Sequence, residues 1–154
     1  MIKALLFDFS RTLLFSKDTN YTGSLNDLYK QNKDNPDFNF FAYFELNAEL
    51  IDYLKSVKEK FKLFIFTSES IQNDSAIIND LNKVFDKIYS AKEIGLSKKD
   101  INSYKHIVSD LNLNPSEILF IDDSEENIRT AEKTGILVFC YQSNEALLSY
   151  LKKV

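Results

Sequence analysis

Four stretches of this chain end an apolar run, or follow one, with residues that can do chemistry. Ile2 to Phe7 runs into Asp8, Phe9, Ser10, Arg11 and Thr12, and Leu63 to Phe66 runs into Thr67 and Ser68. A weaker run, Lys87 to Ser90, is followed by Ser97, Lys98 and Lys99, and Ile118 to Ile121 ends at Asp122 and Asp123. Brought together, these supply an acid, hydroxyls, an amine and a pair of acids. Carboxylates suit a hard divalent cation, and Mg²⁺ typically takes roughly one or two of them, with water and substrate phosphate oxygens filling the remaining positions. Phosphate chemistry is the natural task for such a set.

Something must hold residues so far apart in sequence at one place. Each apolar run is short and bounded by polar residues, the pattern of a strand buried on both faces. A fifth run covers Ile136 to Tyr141. Between the runs lie stripes at helical spacing: Leu50, Ile51, Leu54 and Val57; Ile77, Ile78 and Leu81; Tyr104, Ile107, Val108 and Leu111; Ile128 and Ala131; and Leu147, Leu148 and Leu151. Asn47 is placed to cap the first of these helices, Asp123 and Glu126 have capping-box spacing before the fourth, and Lys133 with Gly135 suits its end. The alternation predicts an α/β fold: a doubly wound, Rossmann-like, five-stranded parallel sheet with right-handed crossovers and helices on both faces. In such a sheet ligands bind beyond the carboxyl ends of the strands, where the residues named above lie.

Composition narrows the chemistry further. The glycines, Gly23, Gly95 and Gly135, are too far apart for a dinucleotide turn or a phosphate loop. Cys140 and His106 are single, so the chain has neither a disulfide framework nor a His- or Cys-based zinc site. Cys140 reads as core and His106 as a surface or half-buried helix residue. A net charge of −4 does not suggest a nucleic-acid binder, and no apolar run is long enough to cross a bilayer. Without a signal-peptide pattern at the N-terminus, a reduced, cytoplasmic protein is the expectation.

The four motifs, Phe7-Asp8-Phe9-Ser10-Arg11-Thr12-Leu13, Phe64-Ile65-Phe66-Thr67-Ser68, Gly95-Leu96-Ser97-Lys98-Lys99-Asp100 and Phe120-Ile121-Asp122-Asp123-Ser124-Glu125-Glu126-Asn127-Ile128, resemble in order those of the haloacid dehalogenase-like (HAD) hydrolase superfamily. The resemblance extends from Ile2 to about Gln142. It implies a nucleophile at Asp8 that forms an aspartyl phosphate, phosphoryl contacts from Thr67 and Ser68, and charge neutralisation by Lys98. It also implies a Mg²⁺ site at Asp8, Asp122 and Asp123, with the backbone carbonyl of Ser10 as a further ligand. Arg11 stands where a small residue is usual, either as a contact for an anionic substrate or as a solvated loop residue.

Ser10 is the departure of consequence. The resemblance places a second aspartate there in phosphatases, to protonate the leaving oxygen and then activate water. A serine hydroxyl is a poor acid and base near neutral pH, and general acid–base catalysis typically supplies about 10²–10⁴-fold. Three readings follow: a Mg²⁺-dependent phosphohydrolase, slow or selective for activated phosphates; a catalytically weak module that binds Mg²⁺ and a phosphorylated ligand or protein partner; and a phosphoacceptor receiver domain. The last is disfavoured, because receivers carry the acid pair after the first strand and the lysine after the last.

One segment has no clear period. Ser16 to Phe44 holds seven of the 21 aromatic residues, and it stands where relatives carry a whole cap domain. A single domain over residues 1–154 with this short insert leaves the site open, able to admit a phosphorylated small molecule or a phosphoprotein, or else roofed by the seven rings or by a second subunit of a homo-oligomer. The alternative is that the rings merely cover one end of the sheet.

Overall fold

The computed structural model describes residues 1–154. In chain order its elements are β1 (Ala4–Phe7), β2 (Leu14–Ser16), α1 (Leu25–Asn32), α2 (Phe40–Tyr43), β3 (Phe44–Leu46), α3 (Ala48–Ser56), β4 (Lys62–Thr67), α4 (Ile78–Val84), β5 (Lys87–Ser90), α5 (Ala91–Ile94), α6 (Ile101–Leu111), β6 (Ile118–Asp122), α7 (Glu125–Glu132), β7 (Leu137–Cys140) and α8 (Asn144–Leu151). Five strands form a parallel sheet in the order β5-β4-β1-β6-β7, so β1 is central, with β4 and β6 on its two sides. All five predicted strands are present.

Successive side chains of a strand point to opposite faces, and here each face has its own core. Leu5, Phe7, Leu63, Ile65, Leu119 and Ile121 pack with α3, α4 and α8 in one cluster. Leu6, Phe64, Phe66 and Phe120 pack with Tyr104 and Ile107 of α6 and Ile128 and Ala131 of α7 in the other. Every residue of β1 is fully buried, which explains its unbroken apolar sequence. Burying one Leu or Phe side chain contributes roughly 1.5–3 kcal/mol, so a doubly covered sheet gives a rigid base for its strand ends.

The aperiodic segment is more ordered than its sequence suggests. Leu14–Ser16 and Phe44–Leu46 pair as an antiparallel two-stranded sheet, closing the insert at its base. Inside it, Ser24 caps α1 by accepting from the Asp27 amide, and Leu25, Leu28 and Tyr29 supply a short helical stripe that the surrounding Asn, Lys and Asp residues obscure. Its rings stack on one another and on the first core: Phe40 and Phe44 are buried with centroids 5.0 Å apart, and Tyr29 meets Phe38 at 6.0 Å. Six of the seven pack with the first core, only Phe41 being largely exposed, and none roofs the site as the aromatic cluster suggests. Two smaller readings also change. Ser124, not Asp123, caps α7, and Cys140 is half-buried because β7 is an edge strand. His106 is exposed on α6.

Asn47 ties the base of the site to this scaffold. Its Oδ1 accepts from the Leu50 amide as the α3 cap, while its Nδ2 donates to the Thr12 carbonyl at 2.9 Å and to Asn144 Oδ1 at 2.8 Å. The residue is buried, so truncation orphans several groups at once. Asn47→Ala should cost on the order of 2–3 kcal/mol and lower the thermal midpoint by roughly 5–10 °C, read by calorimetry.

Candidate functional site

The carboxyl ends of β1, β4 and β6 converge, together with the loop after α5, on one cavity of about 150 Å³. Asp8, Ser10 and Arg11 line it from the β1 end, Thr67 and Ser68 from β4, Lys98 from the loop, and Asp122 and Asp123 from β6. The eight residues given site roles in the sequence therefore meet at one place, whereas Thr12, Ser97 and Lys99, named beside them, do not line it. Thr67 and Lys98 are buried, and Asp122 is completely so.

Local backbone explains how each side chain gets there. The Asp8 amide donates to the Ile121 carbonyl, which carries the β1–β6 pairing past the last ladder rung and holds the two acidic ends side by side. Gly95 ends α5 in the left-handed region at φ 79°, a conformation that suits a residue without a Cβ, and so turns the chain toward Lys98. Beyond β4, the Ser68 carbonyl accepts from the Lys92 amide and the Glu69 carbonyl from Ser90 Oγ, bracing the loop that carries the hydroxyls.

Lys98 is the electrostatic centre. Its Nζ lies 2.5 Å from Asp8 Oδ1 and 2.8 Å from Asp122 Oδ2, above the rings of Phe66 and Phe120. Burial pulls an ammonium down, yet the two adjacent carboxylates more than offset it and hold Lys98 above its usual value. Asp8 moves the other way. Burial is the main cause and the charge of Asp122 adds to it, so that even with Lys98 opposing, Asp8 is pushed up from 3.8 to about 7. Three carboxylates around one ammonium leave an excess of negative charge.

That excess suits a cation. Oxygens of Asp8, Asp122 and Asp123 lie within 4.8 Å of one another, an all-oxygen donor set fitting Mg²⁺ and unlike the His and Cys sets of zinc. Asp122 is held for such a role by contacts that the sequence reading did not assign. The Ser124 amide donates to its Oδ1 at 2.8 Å and Asn127 Nδ2 to its Oδ2 at 3.0 Å. Asn127 sits in the first turn of α7, five residues after Asp122, and that capped-helix spacing was the signal available for it.

The insert reaches the cavity, though not with its rings. Ser24, Leu25 and Asn26 at the start of α1 line it, and none of the seven aromatics does. Arg11 makes the connection: its backbone is left-handed at φ 62°, and its Nη2 donates to the Gly23 carbonyl at 2.6 Å. A second, wider groove of about 640 Å³ adjoins the cavity, sharing Ser68, Lys98, Ser124 and Asn127 and adding Lys92, Lys99, Glu69 and Glu126. Nine of its twelve lining residues carry polar or charged side chains.

A doubly wound sheet that gathers an aspartate, a threonine, a lysine and an acid pair at its strand ends defines the class: an α/β core with a polar, charged site at the carboxyl edge of its sheet. The chain belongs to the haloacid dehalogenase-like hydrolase family, whose model matches residues 16–140. That match begins beyond Asp8, Ser10 and Arg11. The chain is 32% identical over 90 residues to enolase-phosphatase E1 of Marinobacter nauticus, covering 55% of this chain and 39% of the relative. It thus spans about two fifths of the length of such curated relatives. Among solved structures, a HAD family enzyme of Bacteroides thetaiotaomicron in complex with magnesium and inorganic phosphate superposes with a TM-score of 0.71 at 17% identity, over 94% of this chain and 96% of that one. A protein from Porphyromonas gingivalis described as a predicted HAD-like family hydrolase gives 0.66 at 19% identity over 99% and 97%. These likenesses establish the fold. No helix is long and apolar enough to cross a membrane.

Proposed function

We propose that this chain is a Mg²⁺-dependent phosphohydrolase domain that works through an aspartyl phosphate on Asp8. The observation that carries the reading is the buried Asp8–Lys98–Asp122 cluster at the strand ends, with Lys98 within hydrogen-bond reach of both acids. Asp8, Asp122, Asp123 and the Ser10 carbonyl would hold Mg²⁺, which when bound supplies positive charge between the carboxylates and the phosphoryl oxygens.

Asp8 would attack phosphorus, with Thr67 and Ser68 donating to the transferring oxygens and Lys98 offsetting the charge they carry. Catalysis of this kind rests on positioning and charge, which a rigid sheet edge can supply. Lys98 also keeps Asp8 ready: its field opposes the burial that otherwise favours the protonated acid. The phosphatase relatives favour a phosphorylated small molecule as substrate. The polar groove beside the cavity favours a polar leaving group over a hydrocarbon one, and its open form leaves room for a phosphoprotein as the alternative.

Ser10 favours a second reading, a module that binds Mg²⁺ and a phosphorylated partner with little turnover. Hydrolysis of acetyl phosphate and p-nitrophenyl phosphate with and without Mg²⁺ separates the two. Metal-dependent turnover of both is expected, with the first, phosphoenzyme-forming step faster from acetyl phosphate. Metal and phosphate binding without turnover would transfer the assignment to the binding module, and absence of any Mg²⁺ affinity would remove both.

A further inference from the structure

The proposed chemistry lacks a base for its second step, and the cavity holds two side chains suited to stand in. Seven buried side-chain polar atoms have no hydrogen-bond partner, among them Ser10 Oγ and Asn26 Oδ1. Thr12, Ser16, Glu69, Gln72 and Tyr104 also carry one each, but none of these residues lines the catalytic cavity, Glu69 lying in the adjoining groove. Ser10 and Asn26 both do. They come from two separate segments, Ser10 two residues beyond Asp8 and Asn26 from the first turn of α1, in the insert. Native structures rarely leave buried oxygens unpaired, and two in one polar cavity point to a shared small partner that can donate to both.

We propose that Ser10 Oγ and Asn26 Oδ1 together hold the water that hydrolyses the phosphorylated Asp8, a neutral pair in place of the acidic residue the first motif lacks. The inference rests on the aspartyl-phosphate reading above. Asn26 Oδ1 only accepts, so it takes one hydrogen of the water. The Ser10 hydroxyl can accept the other or donate to the oxygen, which fixes the direction of a lone pair. A water occupies about 30 Å³ in the liquid, and the cavity of about 150 Å³ has room for one beside a phosphoryl group.

The step balances without a protein base. The water oxygen forms a bond to phosphorus, the bond from phosphorus to the Asp8 oxygen breaks, and its electrons restore the Asp8 carboxylate. One water proton stays on the departing phosphate, and the other passes along the hydrogen bonds to solvent. Neither an amide nor a hydroxyl takes full charge at neutral pH, so the pair contributes orientation, and breakdown of the phosphoenzyme is the slow step.

Arg11 is the positioning residue for this arrangement. Its guanidinium donates to the carbonyls of Gly23 and Tyr21, immediately before the Ser24 cap, and so fixes where the first turn of α1 stands relative to Asp8. Tyr29 Oη, donating to Asp74 at 2.8 Å, anchors the same helix to the segment beyond β4. The insert thereby supplies a catalytic group although it encloses nothing.

The test separates the two half-reactions. The protein with Mg²⁺ is labelled with radioactive acetyl phosphate, quenched in acid for formation of the phosphoenzyme, and chased with unlabelled reagent for its breakdown. Acetate departs without protonation, so Asn26→Leu should slow breakdown roughly three- to tenfold relative to formation. Asn26→Asp, which places an ionised base at the same point, should break down faster than the native protein. Equal slowing of both half-reactions by Asn26→Leu, an unchanged breakdown rate, or slower breakdown in Asn26→Asp would overturn the proposal while leaving the covalent reading intact. If no label attaches to the native protein, or if it attaches equally to Asp8→Asn, the covalent reading fails and this inference with it.

Discussion

Asp8→Asn is expected to abolish turnover and, at the same time, to make the metal-free protein more stable at pH 8. The first effect follows from removing the proposed nucleophile: an amide cannot form the acyl phosphate, and a loss of about four orders of magnitude or more is expected. The second follows from electrostatics. A carboxylate whose folded value is raised, here from 3.8 to about 7, holds its proton in the folded state after the unfolded chain has released it. Stability therefore falls as pH rises from about 4 to about 7 and stays reduced above that. The shift already includes the attraction of Lys98, and its direction is nonetheless upward. Replacing the charge by a neutral amide of the same shape removes the penalty, while Lys98 keeps its contact with Asp122. At pH 8 without metal the variant should melt several degrees above the native protein, at about 2–4 °C per kcal/mol, and the gap should close toward pH 4. Mg²⁺ should reverse the order, since a ligand that binds only the folded state stabilises it and the native site offers one more carboxylate. Differential scanning calorimetry at several pH values, with Mg²⁺ or chelator, checks each part. A variant that melts lower than the native protein at pH 8 without metal would refute the electrostatic account.

The strand ends show what this sequence makes legible. Ile2 to Phe7 and Ile118 to Ile121 are unbroken apolar runs because their strands are covered on both faces, and such runs are readable without any neighbour. Asp8, Thr67 and Asp122 could be placed with them, since a polar residue closing a buried parallel strand can only emerge at the carboxyl edge. Lys98 was legible by motif order alone, as it lies on a loop whose path depends on the left-handed Gly95. Two things were hidden. The short helix α1 has a stripe of three residues among polar ones, too brief to stand out, and its stability comes from docking onto the rings of the insert and from Arg11. Asn26 could not be found because its significance lies in what it fails to contact, which no local pattern encodes. The aromatic segment misled for a related reason. A cluster of rings reads the same whether it faces a ligand or a core, and here Phe40 and Phe44 face the core.

Ser10→Asp should raise hydrolysis of p-nitrophenyl phosphate by about 10² or more, up to the roughly 10⁴ that a well-placed acid and base can supply. The position lines the cavity with Asp8, and Ser10 is not among the residues held at positive φ, so an aspartate needs no unusual backbone there. Its carboxyl would face the cavity that Ser10 and Asn26 both line. The size of the gain should track the leaving group. Alkyl phosphates need protonation to depart and should gain most, whereas formation of the phosphoenzyme from acetyl phosphate should hardly change, because acetate leaves unaided. Breakdown of the phosphoenzyme is common to every substrate and should quicken in all cases, so an initial burst of product seen with native protein should shrink or vanish. The rate with p-nitrophenyl phosphate should also acquire a bell-shaped pH dependence, one limb from the new acid and the other from the group that must stay ionised. A silent native protein with an active Ser10→Asp variant would mean that the scaffold is complete and lacks only this carboxyl, which is the binding-module reading. If the substitution changes neither rate nor burst, proton transfer does not limit turnover, and the limiting step lies instead in what the groove beside Lys98 admits or releases.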